Sequence, residues 1–228
     1  MAAPRAETLE ISNAVQDYAK AIWSIAQRGD GPVSTSALAE RLRVSPASAS
    51  AMVKRLESLG LASREPYHGV RLTRAGERVA LEVLRHHRLL ELYLATSLGV
   101  PWDRVHDEAE VLEHVLSEEL EELIAAKLGN PTHDPHGDPI PTRELRIEEG
   151  DTRSMQSLEP GTSGRFVRIS DSDPEMLRYL AERGIGPGDS FEIVEKQPFG
   201  GPVSARFGKE THVLGGGLAR AMRADLNG

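Results

Sequence analysis

A tight turn at Val44-Ser-Pro46 constrains the N-terminal third of the chain more than any other feature. Proline is excluded from helix interiors but fits the first helical position, and serine immediately before it is a favoured N-cap. The turn therefore separates a short helix over residues 34–42, capped by Ser34 or Thr35, from a second helix over residues 46–60. An amphipathic pattern over residues 10–27 predicts a further helix before them.

A β-hairpin follows these helices. Residues 61–65 and 70–72 read as its strands, residues 67–69 as its tip, and Thr73 as the cap of a long helix. Three helices and a hairpin in this order are typical of the winged helix-turn-helix, which places its recognition helix in the DNA major groove. The candidate DNA-contacting residues are Thr35, Ser45, Pro46, Ala47, Ser48, Ser50, Lys54 and Arg64, with His68 and Arg71 as further candidates on the hairpin.

The charge distribution also favours nucleic acid as a partner of this region. The whole chain has a net charge of −8, but residues 1–80 carry 11 Lys and Arg against 8 Asp and Glu. Over residues 33–78 the basic excess is 8 to 4. A winged helix used only for protein contacts is the alternative, and the basic excess favours DNA.

Composition excludes several other classes of protein. The chain has no cysteine, so it forms no disulfide, zinc–thiolate site or cysteine nucleophile, as expected of a cytoplasmic protein. Aromatic residues make up only 4%, so its cores must be aliphatic. The sequence lacks an apolar run long enough to span a bilayer and an N-terminal signal peptide, and we expect no membrane partner.

The stretch of residues 105–114 predicts a cation site. It reads as part of one helix that continues to about residue 127, and Glu110, Glu113 and His114 then share a face at spacings of three and four residues. Two carboxylates and an imidazole side by side are best explained by a divalent cation, whereas the other glutamates of this helix read as solvated surface.

A second group of ligand-type residues surrounds this stretch. His87 and Glu91 lie four residues apart on the preceding helix, and His106 lies one turn before Glu110. Asp134 and His136 fall in an irregular loop over residues 129–141. The alternatives are a surface ion pair and a polar turn. Donors without sulfur favour Mn(II) or Fe(II) over Cu(I), while Co(II), Ni(II), Cd(II) or Zn(II) can substitute in vitro.

The C-terminal third has a different character. Residues 146–157 read as a polar linker. Residues 158–228 are rich in glycine and contain short β-like runs interrupted by one helix that starts at Pro174. This pattern predicts a small, closed, mostly antiparallel barrel.

Four segments and the winged helix together resemble the diphtheria-toxin-repressor family, specifically its manganese-dependent branch with a C-terminal domain. The segments are Ala14-Val-Gln-Asp-Tyr-Ala-Lys-Ala-Ile-Trp23, His87-Arg-Leu-Leu-Glu91, Val105-His-Asp-Glu-Ala-Glu-Val-Leu-Glu-His114 and Asp134-Pro-His-Gly-Asp-Pro-Ile-Pro141. The resemblance implies a mainly α protein with a small β domain. Such a protein would have a winged helix-turn-helix domain (1–80), a helical dimerisation domain (81–145) and, after the linker, an SH3-like FeoA-type barrel (158–228).

The resemblance also implies the ligand sets. Asp17 would complete the primary site with Glu110, Glu113 and His114. The second site would contain His87, Glu91, His106, Asp134, His136 and, from the C-terminal domain, Asp173. Iron-responsive members typically carry Met and Cys at positions 17 and 110, so carboxylates there favour Mn(II). Lys20, where two-metal members carry Glu, argues against their paired-metal arrangement at the primary site.

The expected function is therefore a Mn(II)-activated, homodimeric repressor that controls metal homeostasis. It would bind palindromic double-stranded operators, with one or two dimers on each, and have no small-molecule substrate. An iron(II)-dependent repressor is the nearest alternative. A metallohydrolase with an accessory winged helix, and a metal-independent regulator whose Glu and His residues are solvated surface, are the other classes.

Overall fold

The computed structural model describes residues 11–27, 29, 31–65, 69–171 and 173–226. The chain divides into two compact units, residues 1–84 and 85–228. The predicted helix start at Glu10 and the candidate DNA contact His68 lie outside the described residues. Among the helices that are described, none combines the length and the apolar character that crossing a bilayer requires.

The first unit has the predicted order of three helices and a hairpin. Its elements are α1 (Asn13–Ala26), α2 (Thr35–Arg41), α3 (Pro46–Ser58), β1 (Ala62–Glu65) and β2 (Gly69–Leu72). The two strands pair antiparallel. The predicted caps are confirmed, because Ser34 accepts the N–H of Ala37 and Ser45 accepts that of Ser48, each at 3.1 Å. Local sequence signals therefore set the ends of α2 and α3.

An aliphatic core holds the first unit together. Ile22 of α1, Leu38 of α2 and Leu56 of α3 are each no more than 1% exposed and belong to one cluster, which Val70 of β2 completes. Burying such side chains stabilises a fold by about 1.5–3 kcal/mol each. The outer side of α3, which this packing leaves free, carries most of the predicted DNA contacts.

The long helix α4 (Arg74–Leu98) begins after Thr73, whose Oγ1 accepts the N–H of Gly76 at 3.2 Å. Two shorter helices follow in the second unit, α5 (Val105–Leu112) and α6 (Glu118–Lys127). The prediction of one helix from residue 105 to about 127 is therefore wrong. Ser117 caps α6 by accepting the N–H of Leu120 at 3.3 Å, and the acidic first turn of α6 suits a helix N-terminus.

The C-terminal part of the second unit is a six-stranded antiparallel sheet with two helices. Its elements are β3 (Arg153–Ser154), a 3-10 helix (Met155–Ser157), β4 (Ser163–Ile169), α7 (Pro174–Ala181), β5 (Ser190–Lys196), β6 (Val203–Phe207), β7 (Glu210–Leu214), α8 (Gly216–Ala221) and β8 (Met222–Asp225). The hydrogen-bonded order is β3-β8-β4-β5-β6-β7. The register shifts within β4 and β5, and such bulges bend a strand around its core.

This domain begins earlier than the sequence predicted. The sequence pattern places residues 153–157 in the linker, but Arg153 pairs with Ala224 of β8 and Met155 is fully buried in the core. The polar residues around Met155 conceal its role, since one apolar side chain gives no periodic signal.

The loop over residues 129–141 packs directly against β4. The carbonyl oxygen of His136 accepts the N–H of Ile169 at 2.9 Å. Gly137 has φ +84°, and a Cβ at this position would lie 1.8 Å from the carbonyl oxygen of Val167. Only glycine permits so close a backbone approach, so the candidate ligands of this loop have a fixed place relative to the sheet.

Candidate metal centre

The second unit buries an unusual set of polar side chains. The buried polar and charged side chains of the described chain are His86, His87, Glu91, Glu113, Asp134 and His136. Buried charged groups require hydrogen bonds, opposite charges or a metal ion. Carboxylate and imidazole groups here come together in three overlapping sets, each with ligand atoms within 4.8 Å of one another.

The first set joins His87, Glu91, His106 and Asp171. Glu91 Oε1 lies 3.0 Å from His87 Nε2 and 3.4 Å from His106 Nδ1. Asp171 Oδ2 accepts a hydrogen bond from His106 Nδ1 at 2.9 Å. Helix α4 supplies the first two residues, α5 the third, and the segment after β4 the fourth. The predicted His87, Glu91 and His106 are thus in direct contact.

Protonation and charge are strongly coupled in this set. Burial favours the neutral form of His106, but hydrogen bonds to Asp171 and Glu91 raise its pKa to about 10. Burial opposes ionisation of Asp171, yet the hydrogen bond from His106 lowers its pKa to about 2. Burial also opposes ionisation of Glu91, and the charge of His87 with hydrogen bonds from both histidines holds its pKa below the usual range. A proton on His106 therefore balances these carboxylates without metal.

The second set joins Glu91 with Asp134 and His136, and all three are buried. Glu91 Oε2 lies 3.8 Å from His136 Nδ1. Asp134 Oδ1 accepts the backbone N–H groups of His136 and Asp138, each at 2.9 Å, which fixes its carboxylate. Burial and the charges of Asp138 and Glu91 raise the pKa of Asp134, while Arg88 opposes this. A cation between these groups would relieve the repulsion.

The third set links His87 to the predicted primary ligands. His87 Nδ1 donates to Glu113 Oε2 at 2.5 Å and lies 3.8 Å from Glu110 Oε1. Glu113 is the C-cap of α5, and His114 follows in the turn before α6, with Nε2 3.6 Å from Glu113 Oε1. The two residues therefore leave the continuous helical face that the sequence predicted, but they remain adjacent. Asp17 lies on α1 of the first unit and is half-buried.

The C-terminal residue of the first set is Asp171 and not the predicted Asp173. The carboxylate of Asp173 accepts the N–H of Glu175 at 3.0 Å and caps α7, where an Asp before Pro174 is favoured. The sequence Ser170-Asp-Ser-Asp173 offers two acidic candidates. The Asp-Pro pair that signals a helix start could have identified Asp173 as the cap.

Sequence reasoning also missed a supporting network next to the donors. His86 Nε2 lies 3.0 Å from Glu121 Oε2, while Arg85 Nε donates to Glu121 Oε1 at 2.5 Å. Burial opposes ionisation of Glu121, but His86 and Arg85 together lower its pKa. The network ties α4 to α6 and holds the turn that contains Glu113. The sequence feature that could have revealed this network is the adjacent pair His86-His87. Only His87 fits the spacing of the predicted metal ligands.

The first unit presents most of its predicted DNA contacts to solvent. Ser45, Pro46, Ala47 and Ser48 are exposed at the start of α3, and Lys54 further along α3 and Arg64 on β1 are exposed as well, whereas Thr35 and Ser50 are half-buried. Arg71 pairs with Glu65 at 2.7 Å on the hairpin. Small side chains at the start of α3 allow close approach to a groove.

The donors fit a divalent cation of the harder kind. None of the three sets contains sulfur, and His136 places a buried ring nitrogen among carboxylates without any hydrogen-bond partner among the described residues. The other nitrogen, Nε2, donates to the carbonyl oxygen of Trp102 at 2.7 Å. A histidine held in this way presents the arrangement that metal-binding histidines commonly show.

A DNA-binding winged helix and a buried carboxylate–imidazole centre define a metal-dependent transcriptional repressor. Three family descriptions cover most of the chain. Residues 10–70 match "Iron dependent repressor, N-terminal DNA binding domain", residues 73–142 "Iron dependent repressor, metal binding and dimerisation domain", and residues 153–225 "FeoA domain". The dimerisation-domain match supports a homodimer, and the last match identifies the C-terminal domain as an SH3-like FeoA domain.

Individual relatives agree with this assignment. The iron-dependent repressor IdeR of Mycobacterium tuberculosis is 31% identical, over 95% of this chain and 98% of its own length. IdeR of Mycobacterium leprae is 36% identical over the same shares. A solved structure described as a manganese-dependent transcriptional repressor complex with manganese is 41% identical, covers 92% of this chain and 98% of its own, and superposes with a TM-score of 0.85. The chain belongs to the family of iron-dependent and diphtheria-toxin repressors, which are DNA-binding regulators.

Proposed function

We propose that the protein is a Mn(II)-activated repressor that controls metal homeostasis by binding palindromic operators as a dimer. The observation that carries this proposal is the chemistry of the donors. The three sets contain only carboxylate and imidazole groups, and the chain has no cysteine. Hard and borderline ligands suit Mn(II) better than sulfur ligands do. The 41% identity to a repressor described with manganese supports the same metal.

We infer a primary site made of Asp17, Glu110, Glu113 and His114. Asp17 belongs to the first unit, while the other three belong to the second. A cation supplies positive charge that these carboxylates can share. Without it, Asp17, Glu110 and Glu113 repel one another, and α1 has no ligand-based tie to the second unit.

The second site, in this proposal, uses His87, Glu91 and His106 with Asp134, His136 and Asp171. These residues come from helices α4 and α5, the loop over residues 129–141 and the segment after β4, and they form two donor sets that share the buried Glu91. Its contribution to repression is to fix the second unit, from which Glu110 and Glu113 project.

Repression then follows from the division of the primary ligands between the units. Ligands on both units tie the DNA-binding unit to the dimerising unit, which fixes the spacing of the two recognition helices in a dimer. The free energy of metal binding thereby favours the DNA-competent arrangement. Ser45, Ala47 and Ser48, at the start of α3, approach the major groove. Lys54 and Arg64 contact phosphates, and Thr35, Pro46 and Ser50 complete the surface.

Operator binding across a Mn(II) titration tests the proposal. Selection from a random-sequence DNA pool by the full-length protein with Mn(II) supplies the operator. Wild type should bind it only with metal, while Asp17→Ala should require a much higher Mn(II) concentration. Glu77→Ala, an exposed carboxylate near the start of α4, is the matched control. Equal metal dependence of wild type and Asp17→Ala would contradict the bridging role of Asp17.

Iron(II) is the second candidate for the activating metal, because the mycobacterial relatives are described as iron-dependent repressors. Anaerobic operator binding at buffered free concentrations distinguishes the two ions. Mn(II) at its cell-like free concentration should activate operator binding. Fe(II) at its own cell-like free concentration should leave the operator unbound. Activation by Fe(II) alone would assign the protein to iron control.

A further inference from the structure

Glu91 stands at the junction of two donor sets and offers a different oxygen to each. Its Oε1 lies 3.0 Å from His87 Nε2 and 3.4 Å from His106 Nδ1. Its Oε2 lies 3.8 Å from His136 Nδ1. The carboxylate is 1% exposed, so water does not separate these contacts from one another. A carboxylate with its two oxygens in separate donor sets has the arrangement of a ligand that bridges two ions.

His136 supplies the second observation. Since a carbonyl oxygen can only accept, the contact with Trp102 places a proton on His136 Nε2. Nδ1 then carries a lone pair, and this nitrogen has no hydrogen-bond partner among the described residues although the side chain is 0% exposed. The 3.8 Å to Glu91 Oε2 is too long for a hydrogen bond. A buried acceptor left in this state costs about 1–3 kcal/mol unless a ligand satisfies it.

The spacing of the donors separates two positions. Ligand atoms about 2.0–2.6 Å from one ion lie no more than about 5.2 Å apart. Glu91, Asp134 and His136 satisfy such a spacing as one group, and Glu91 satisfies it again with His87, His106 and Asp171. Glu91 is the residue common to both groups.

We propose that the second site holds two divalent cations bridged by Glu91. Position A takes Glu91 Oε1, His87, His106 and Asp171, and position B takes Glu91 Oε2, Asp134 and His136. This inference rests on the proposed function as a metal-dependent repressor, and it adds a bound ion with its own ligands. Position B has fewer protein ligands and is the weaker of the two.

Metal stoichiometry and magnetic coupling test the pair. Full-length protein is titrated with Mn(II) by equilibrium dialysis and followed by electron paramagnetic resonance. The wild type should show exchange-coupled Mn(II), and His136→Ala should bind one Mn(II) fewer per protomer and lose the coupling. His133→Ala, an exposed histidine in the same loop, should match the wild type in both measurements.

Asp134→Asn guards against a folding defect in His136→Ala, since the amide oxygen can still accept the two backbone N–H groups. It should likewise lose one Mn(II) and the coupling. Unchanged stoichiometry in both variants, or the absence of any exchange-coupled Mn(II) signal from a fully loaded wild type, would overturn the bridged pair. If the bridged pair is overturned while operator binding still depends on manganese, the proposed function remains intact. Metal-independent operator binding by the wild type would instead contradict the proposed function itself.

Discussion

The two units treat polar side chains in opposite ways. The described core of the first unit consists of apolar residues and Tyr18, and the predicted DNA contacts on α3 lie outside it. The second unit instead encloses Glu91, Glu113, Asp134 and His136. A surface that contacts DNA can be changed with little cost in stability, because packing does not depend on it. A buried set of charges makes the stability of its unit depend on whatever cation balances them.

The largest expected effect is therefore on the stability of the second unit. Mn(II) at a thousandfold excess over its dissociation constant should stabilise the protein by about 4 kcal/mol for each occupied site. Glu91→Ala should lose most of this gain at the second site, because Glu91 is common to two donor sets. Thermal unfolding with Mn(II) and with chelator measures the difference.

Glu82→Ala, on the exposed side of the same helix, is the control for this comparison. It should keep the full metal-dependent shift in melting temperature. If Glu91→Ala kept it as well, the buried carboxylates would not be the groups that couple stability to the ion.

The next effect concerns the exposed apolar side chains of the second unit, where we place the dimer contact. Val111, Val115, Leu120 and Leu123 on or beside α5 and α6 are 48–74% exposed, as expected for a surface covered by a partner. Leu123→Glu should weaken dimerisation by roughly 3 kcal/mol, about a hundredfold, because it buries a charge. Analytical ultracentrifugation measures this, with Val213→Glu as the exposed control on β7. A dimer unaffected by Leu123→Glu would place the interface elsewhere.

A smaller effect is the release of protons on metal binding. His106 is protonated at neutral pH, because its pKa is raised to about 10, and it must lose that proton to become a ligand. Binding at position A should therefore release about one proton, and affinity should fall about tenfold for each unit of decreasing pH. Asp171, with a pKa of about 2, should release none.

Calorimetry in buffers of different ionisation enthalpy counts the protons, and His106→Gln should abolish the release. With chelator present, the pH dependence of fold stability has the opposite sign to that of metal affinity. The raised pKa stabilises the metal-free fold below about pH 6.5, and this contribution is lost as the pH rises through 10. A metal affinity independent of pH would show that His106 is not a ligand.

The smallest effect belongs to the first unit. Lys54→Ala should reduce operator affinity by about 1 kcal/mol and lower the slope of log affinity against log salt by about 0.9 for each of the two copies of Lys54 in a bound dimer. Its stability should stay within about 0.5 kcal/mol of wild type, since Lys54 is exposed. Filter binding at several salt concentrations measures the slope, with Lys127→Ala of α6 as the control. A salt slope unchanged by Lys54→Ala would remove it from the phosphate contacts.

The same contrast explains how much could be predicted from the sequence. The first unit follows from local signals, since Ser34, Ser45 and Pro46 fix helix starts within a few residues of their own position. In the second unit the ligand types were predictable, and His87, Glu91 and His106 do meet. The break between α5 and α6 was not, because Glu113 to Ser117 contains no glycine or proline and the cap at Ser117 lies within a strongly helical stretch.

Asp171 shows a different limit. Its role depends on how β4 and the segment after it lie against α5, more than sixty residues away in sequence. Neither propensity nor periodicity carries that information. The start of the C-terminal domain at β3 escaped prediction for the same reason, because a two-residue strand is defined only by its partner β8.

The contact of Gly137 with Val167 has a consequence for how this protein can be divided. The ligand loop and the C-terminal sheet share a backbone contact that no other residue type fits, so the sheet is a structural support of the sensor and not a detachable accessory. A shortened chain that ends before the sheet would keep α4, α5 and every ligand except Asp171, but it would lose the surface that shapes the loop. Shorter repressors built on the same helices would need a differently constructed ligand loop. A chimaera that exchanges C-terminal domains between relatives should place its junction before residue 129.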